Sequence, residues 1–172
     1  MIRLVVALTF GLALTPAFAQ PREEPVGCES FKWPLDRERA LLAQPGIAEI
    51  DSGAEIPLPV GKAVSVRLLP IAKARLPMAP ERPSRAQDGK AGFVRIAAPA
   101  QPGPYRITLA EAGWIDVIQD GRFLRSGAFS GATGCKGVRK SVTFELATAP
   151  FIVQFSGVPA DSIGMVMTQG AP

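Results

Sequence analysis

From residue 54 onward apolar side chains recur at every second position, and that period decides the fold class. Val64, Val66 and Leu68 alternate with Ser65 and Arg67, and Tyr105, Ile107 and Leu109 alternate with Arg106 and Thr108. Val142, Phe144 and Leu146, then Phe151, Val153 and Phe155, then Ile163, Met165 and Met167 repeat the pattern, while Phe93 and Val94 open a further strand. Successive side chains of a strand point to opposite faces, so each row supplies one apolar face. The strands are short, are separated by Pro/Gly turns such as APAQPGPY and SGVPADS, and have no helical pattern between them. This predicts a mainly β chain, an antiparallel β-sandwich or jelly roll, rather than a parallel α/β sheet. Burying each large apolar side chain is worth roughly 1.5–3 kcal/mol, so two facing rows make a core.

One segment specifies its own register. In WIDVIQDGRFLRS the pair Asp120-Gly121 lies between two apolar runs, the signature of a type I′ hairpin. Counting outward, Gln119 faces Arg122, Ile118 faces Phe123, Val117 faces Leu124 and Asp116 faces Arg125. Ile115, Val117 and Leu124 then share the core face, and Trp114, Asp116, Ile118, Phe123 and Arg125 share the other.

The N-terminus reads differently. MIRLVVALTFGLALTPAFA has one early Arg3, an apolar run from Leu4 to Leu14 and small residues at Ala17 and Ala19, which predicts a signal peptide over 1–19 cleaved after Ala19. The run is too short and too interrupted for a membrane span, and no integral membrane segment is expected after cleavage. QPREEPVG, residues 20–27, reads as a flexible tail, and residues 28–172 as a single sandwich domain. Within CESFKWPLDRERALLAQPG, Pro34 suits an early helical position, Leu35, Arg39 and Leu42 recur at helical spacing, and Pro45-Gly46 stops the run, predicting a short helix over 34–43. Phe31, Leu35 and Leu42 are expected to pack on the domain. Trp33 reads as a core or lid residue, with a ligand platform as the alternative.

In an exported chain the two cysteines, Cys28 and Cys135, most simply pair. Such a bridge closes a loop of just over one hundred residues and contributes roughly 4–5 kcal/mol by loop-closure entropy. The competing reading is a reactive thiol at Cys135 activated by Lys136, Arg139 and Lys140; a thiol nucleophile normally needs a histidine base, and the chain contains no histidine. The same lack excludes a Ser-His-Asp triad, His-containing zinc sites and the two-His-one-carboxylate iron triad. The acids are scattered, and neither a phosphate loop, a dinucleotide fingerprint nor a calcium loop is present, so no cofactor or metal is expected and catalysis is disfavoured.

Charge is uneven: residues 60–95 hold eight basic and two acidic side chains, within a full-chain net of +4. Much of the surplus lies in KARLPMAPERPSRAQDGK, residues 73–90, where Pro77, Pro80 and Pro83 oppose regular structure. It reads as a long exposed loop, either solvated or in contact with an anionic envelope surface or acidic partner. Aromatic residues are not interleaved with the basic ones, so nucleic acid is not expected as a partner.

CESFKWPLDRERALLA, PAQPGPYRITL, GWIDVIQDGRFLRSGAFSG, GCKGVRKSVTFEL and PFIVQFSGVPADSIGM together resemble an uncharacterised family of small secreted proteobacterial proteins. The YxITL, W-x-D-V, FxL and FxVQ-x-SG order of the C-terminal half also resembles prepeptidase C-terminal-type jelly rolls. The resemblance implies a secreted β domain. Some relatives carry a homogentisate dioxygenase label, but that enzyme's iron needs two histidines, which this chain lacks.

The expectation is therefore a periplasmic or secreted non-catalytic binding or accessory module of the cell envelope, with an envelope protein or glycan as partner. The candidate ligand face is Trp114, Asp116 and Arg125, an aromatic plane beside an acid and a base. Its structural alternative is a cross-strand Asp116–Arg125 pair, with Trp114 covered by the N-terminal segment that Cys28 tethers. A second functional reading is a protease inhibitor presenting the basic loop residues Lys136, Arg139 or Lys140 from a disulfide-tethered loop; a third is a carboxylate-based hydrolase, which needs two acids in one cleft.

Overall fold

The structure, a computed structural model, describes residues 24–83 and 89–170. The expected signal peptide, residues 20–23 of the expected tail and residues 84–88 of the basic loop lie outside the described residues. A 3-10 turn at Cys28–Ser30 leads to helix α1 (Asp36–Leu42). The helix starts after the expected Pro34 because Leu35, with φ −126° and ψ 21°, is its non-helical flanking residue.

Twelve strands follow among the described residues: β1 (Ala48–Ile50), β2 (Glu55–Ile56), β3 (Ala63–Arg67), β4 (Leu69–Pro70), β5 (Lys90–Ile96), β6 (Gly103–Leu109), β7 (Trp114–Gln119), β8 (Arg122–Phe123), β9 (Ser126–Gly131), β10 (Lys140–Leu146), β11 (Phe151–Val158) and β12 (Ser162–Gln169). They form two open sheets packed as a sandwich. The first runs β1-β3-β12-β6-β10-β9; the second runs β2-β5-β11-β7-β8, with β4 also paired to β5. Most pairs are antiparallel, as the period-two rows implied, but β1–β3 and β2–β5 are parallel, so both sheets are mixed. The chain alternates between sheets from β1 to β3, and a strand that returns after crossing to the other layer is free of the hairpin constraint.

The apolar rows meet between the layers. Val66, Ile107, Leu109, Ile163, Met165 and Met167 of the first sheet face Val94, Ile96, Val117, Val153 and Phe155 of the second, all fully buried in one cluster. The type I′ turn forms with Asp120 at φ 53° and Gly121 at φ 72°, and Ile118 pairs Phe123 while Gln119 pairs Arg122, in the expected register.

Each sheet's outer face has its own cover. Residues 31–35 lie over the first sheet with Phe31, Trp33 and Leu35 buried and Lys32 and Pro34 exposed between them. These three join Ala132, Cys135 and Val138 in a second, smaller apolar cluster. Cys28 and Cys135 are disulfide-bonded across a separation of 107 residues. Upstream, Val26 bridges Thr133 in parallel, so residues 25–27 at the end of the expected tail run beside this loop. Helix α1 sits close to β12 because Gly164 has no side chain: a Cβ there would come within 3.0 Å of Ala110 and 3.3 Å of Leu42. Over the second sheet, the loop after the 3-10 turn Ile71–Lys73 turns Ala74 inward, and the Met78 N–H donates to Gln154 Oε1 at 3.4 Å.

Candidate functional site

Trp114 and Asp116 share a face of β7, as the hairpin count requires, but Arg125 does not join them. Beyond Phe123 the hairpin makes one more bond, Leu124 N–H to Val117 O at 2.8 Å. The chain then departs into β9 of the other sheet, leaving Arg125 exposed and, among the described residues, without an ion pair to Asp116. The Asp116 carboxylate instead accepts from Trp114 Nε1 at 2.6 Å, from Gln154 Nε2 at 3.2 Å and from the backbone N–H of Glu81. Burial raises its pKa above the usual carboxylate value, and those three hydrogen bonds oppose the shift. Asp116 is thus consumed in holding the proline-rich loop to the sheet.

Trp114 is half-buried, and its cover differs from the expected N-terminal segment. The Arg82 guanidinium and the Lys140 ammonium each lie 5.4 Å from its ring centroid. Both are within cation–π range. The aromatic face is therefore occupied by the chain's own cations, supplied by the basic loop and by β10.

The basic triplet after Cys135 is also divided. Lys140 lies at the start of β10 and donates to Gly113 O at 2.6 Å. Burial, followed by the charges of Arg139 and Arg82, lowers its pKa, with Glu24 opposing. Arg139 donates to Glu24 at 2.6 Å and to Ala132 O at 3.3 Å. Lys136 alone of the three projects into solvent, at a tight turn closed by Val138 N–H to Cys135 O at 3.4 Å. Of the three alternatives for an inhibitory loop, the segment leaves Lys136 in solvent, because a salt bridge holds Arg139 and strand pairing with the Gly113 contact holds Lys140.

The buried acids lie apart from one another in structural roles. Glu38 of α1, 2% exposed, accepts from Arg106 Nη2 at 2.8 Å and from Thr168 Oγ1 at 3.1 Å. This pair pins the helix to β6 and β12, and breaking such a buried pair typically costs about 3–5 kcal/mol. Glu111 accepts from the Gly164 N–H at 2.7 Å, and burial raises its pKa against that bond. Among the described residues no group of three or more His, Cys, Asp or Glu is placed to hold a metal.

A concave surface lies beside the disulfide, lined by Trp33, for which a ligand platform was the alternative expectation, and by Lys136 of the basic triplet. One depression of about 350 Å³ has Phe31, Trp33 and Leu35 in its floor, the cystine at one side and Glu29, Lys32, Asp36 and Arg39 around it. A second, of about 500 Å³, lies between α1 and the Lys136-Gly137 turn. The two share Asp36 and Arg39. The Asp36–Arg39 contact is loose, at 3.7 Å, and Arg39 Nε is buried without a partner among the described residues. Arg39 was legible as a helical position; its place at the junction depends on where the disulfide puts the 135–138 turn.

Comparison with known protein families, with curated proteins and with solved structures finds no match for this chain. The functional reading therefore rests on the residues themselves.

Proposed function

We propose that this chain is a periplasmic or secreted, non-catalytic binding module of the cell envelope that holds a polar ligand beside its disulfide. The observation that carries the reading is the joined pair of depressions, about 350 and 500 Å³, meeting at Asp36 and Arg39. Volumes of roughly 300–1,000 Å³, apolar surface and a few convergent polar groups are the usual attributes of a ligand site. Here the floor is aromatic and aliphatic, and the rim carries both signs of charge. A ligand with a flat apolar face and both donors and acceptors, such as a cell-wall glycan bearing a peptide, matches that chemistry. The disulfide rigidifies one wall, which lowers the ordering cost of binding. The signal-like N-terminus supports export, and a disulfide, a bond that persists in oxidising compartments, agrees with it.

The test is calorimetric titration of soluble cell-wall glycopeptides into wild type and Arg39→Ala. Wild type is expected to bind, and Arg39→Ala to bind about tenfold more weakly. No binding by folded wild type, or equal binding by both proteins, removes this site.

A further inference from the structure

The four sheet edges are closed unequally. β1, β2 and β8, with three, two and two residues, form three of them. Very short edge strands are a common protection against unwanted strand pairing. β9 forms the fourth edge and is six residues long, with the sequence SGAFSG; its first four residues, through Phe129, are exposed, and none of the six is charged. It contains neither a proline nor a lysine, and Phe129 is 59% exposed. Its one irregularity is a register shift opposite Val142–Phe144. Among the described residues, no backbone hydrogen bond outside the β9–β10 ladder involves residues 126–131.

Just beyond its end, the chain already shows a strand joining it. Thr133 N–H donates to Pro25 O and Gly27 N–H donates to Thr133 O, both at 2.8 Å, in a parallel bridge. Ala132 N–H bonds back to Arg139 O at 3.3 Å, on the β10 side. The charges beside the edge select the occupant. Lys32 Nζ stands 5.1 Å over the Phe129 ring, and exposed Arg125 immediately precedes Ser126. Two copies of β9 paired together would gather Lys32 and Arg125 of both chains along one seam with no acidic residue on either β9 strand, and like charges repel. A strand bearing acidic residues would pair with them.

We infer that β9 is a docking edge for an extended acidic segment of a partner protein, which adds to the first sheet by main-chain hydrogen bonds and packs an apolar side chain against Phe129. Strand addition of this kind takes affinity from the backbone and specificity from alternate side chains.

The test follows backbone amides of the isotope-labelled protein by NMR hydrogen exchange. The probe is a synthetic peptide of alternating threonine and valine flanked by glutamates. A second peptide carries lysines in place of the glutamates. The acidic peptide is expected to slow exchange at those 126–131 amides that do not bond to β10, the lysine peptide to bind about tenfold more weakly, and Phe129→Glu, which removes the apolar contact and adds a like charge, to abolish the effect with its circular dichroism unchanged. Because Phe129 is largely exposed, that variant is expected to fold; should it not, Arg125→Glu, expected to weaken the acidic peptide and strengthen the lysine peptide, replaces it. Four results overturn the inference: protection in the free monomer of those 126–131 amides that do not bond to β10, which assigns the edge to the chain's own N-terminal residues; protection of the same amides that grows with dimer formation by light scattering, which assigns it to a second copy; equal binding of both peptides; or no binding of the acidic peptide at millimolar concentration.

Discussion

Asp116 keeps a carboxylate under the proline-rich loop, and the consequence is a pH dependence of a definite sign. Burial raises its pKa in the folded protein above the unfolded value, so the folded state binds the proton more tightly. Stability contributed by this group therefore rises as pH falls through the raised folded value, and the gain is complete below the unfolded one. Glu111, also raised by burial, acts in the same direction. Asp116→Asn is expected to flatten this part of the profile, read as the urea midpoint measured from neutral to mildly acidic pH. An unchanged profile would mean that Asp116 does not titrate differently in the folded state. The hairpin count alone placed Asp116 on the correct face, because that face depends on local alternation. Its partners were not legible, since Gln154 and Glu81 reach it from β11 and from the loop before β5, far away along the chain.

Elements whose causes are local were the readable ones. The β7–β8 turn needs two consecutive residues at positive φ, and Asp120-Gly121 provides them at 53° and 72°. Replacing Gly121 by Val puts a β-branched residue in the left-handed region, at a cost of about 1–2 kcal/mol. Since β8 has two residues, the expected result is local: faster amide exchange at Phe123 and Leu124, with Val117 and Val153 still protected in the core. Loss of protection throughout the second sheet would show instead that the turn is needed to assemble it. The apolar rows of β3, β6, β10, β11 and β12 were readable for the same reason, and all of them enter the main cluster. The parallel edge pairs β1–β3 and β2–β5 were not, because pairing across a change of layer leaves no period in the sequence. Nor was the β9 edge: Ser126–Gly131 has weak strand composition, and it becomes a strand by pairing β10.

At the scale of the whole molecule, the sandwich and its N-terminal cover are held together by unlike means. The sandwich core joins residues from both sheets in one large cluster, whereas the cover contributes Phe31, Trp33 and Leu35 to a small one that also contains Cys135. Ordering one residue's backbone costs roughly 1–2 kcal/mol, so a segment with so few buried anchors depends on a constraint from elsewhere. The disulfide supplies it by joining residues 107 apart, worth roughly 4–5 kcal/mol by loop-closure entropy. The Glu38–Arg106–Thr168 contacts add a second tether further along, on α1. The double variant Cys28→Ala/Cys135→Ala is therefore expected to fold with a lowered urea midpoint and to lose its cover before its sheets. Trp33, which donates to Ser141 Oγ at 3.4 Å, reports the cover, and a Trp114→Phe background leaves it as the sole tryptophan. Its emission should shift to the red at a lower urea concentration than the far-ultraviolet β signal is lost, while the parent with the disulfide shows one coincident transition. Coincident transitions in the variant as well would mean that Glu38 and the Trp33 cluster suffice to make cover and sandwich one cooperative unit.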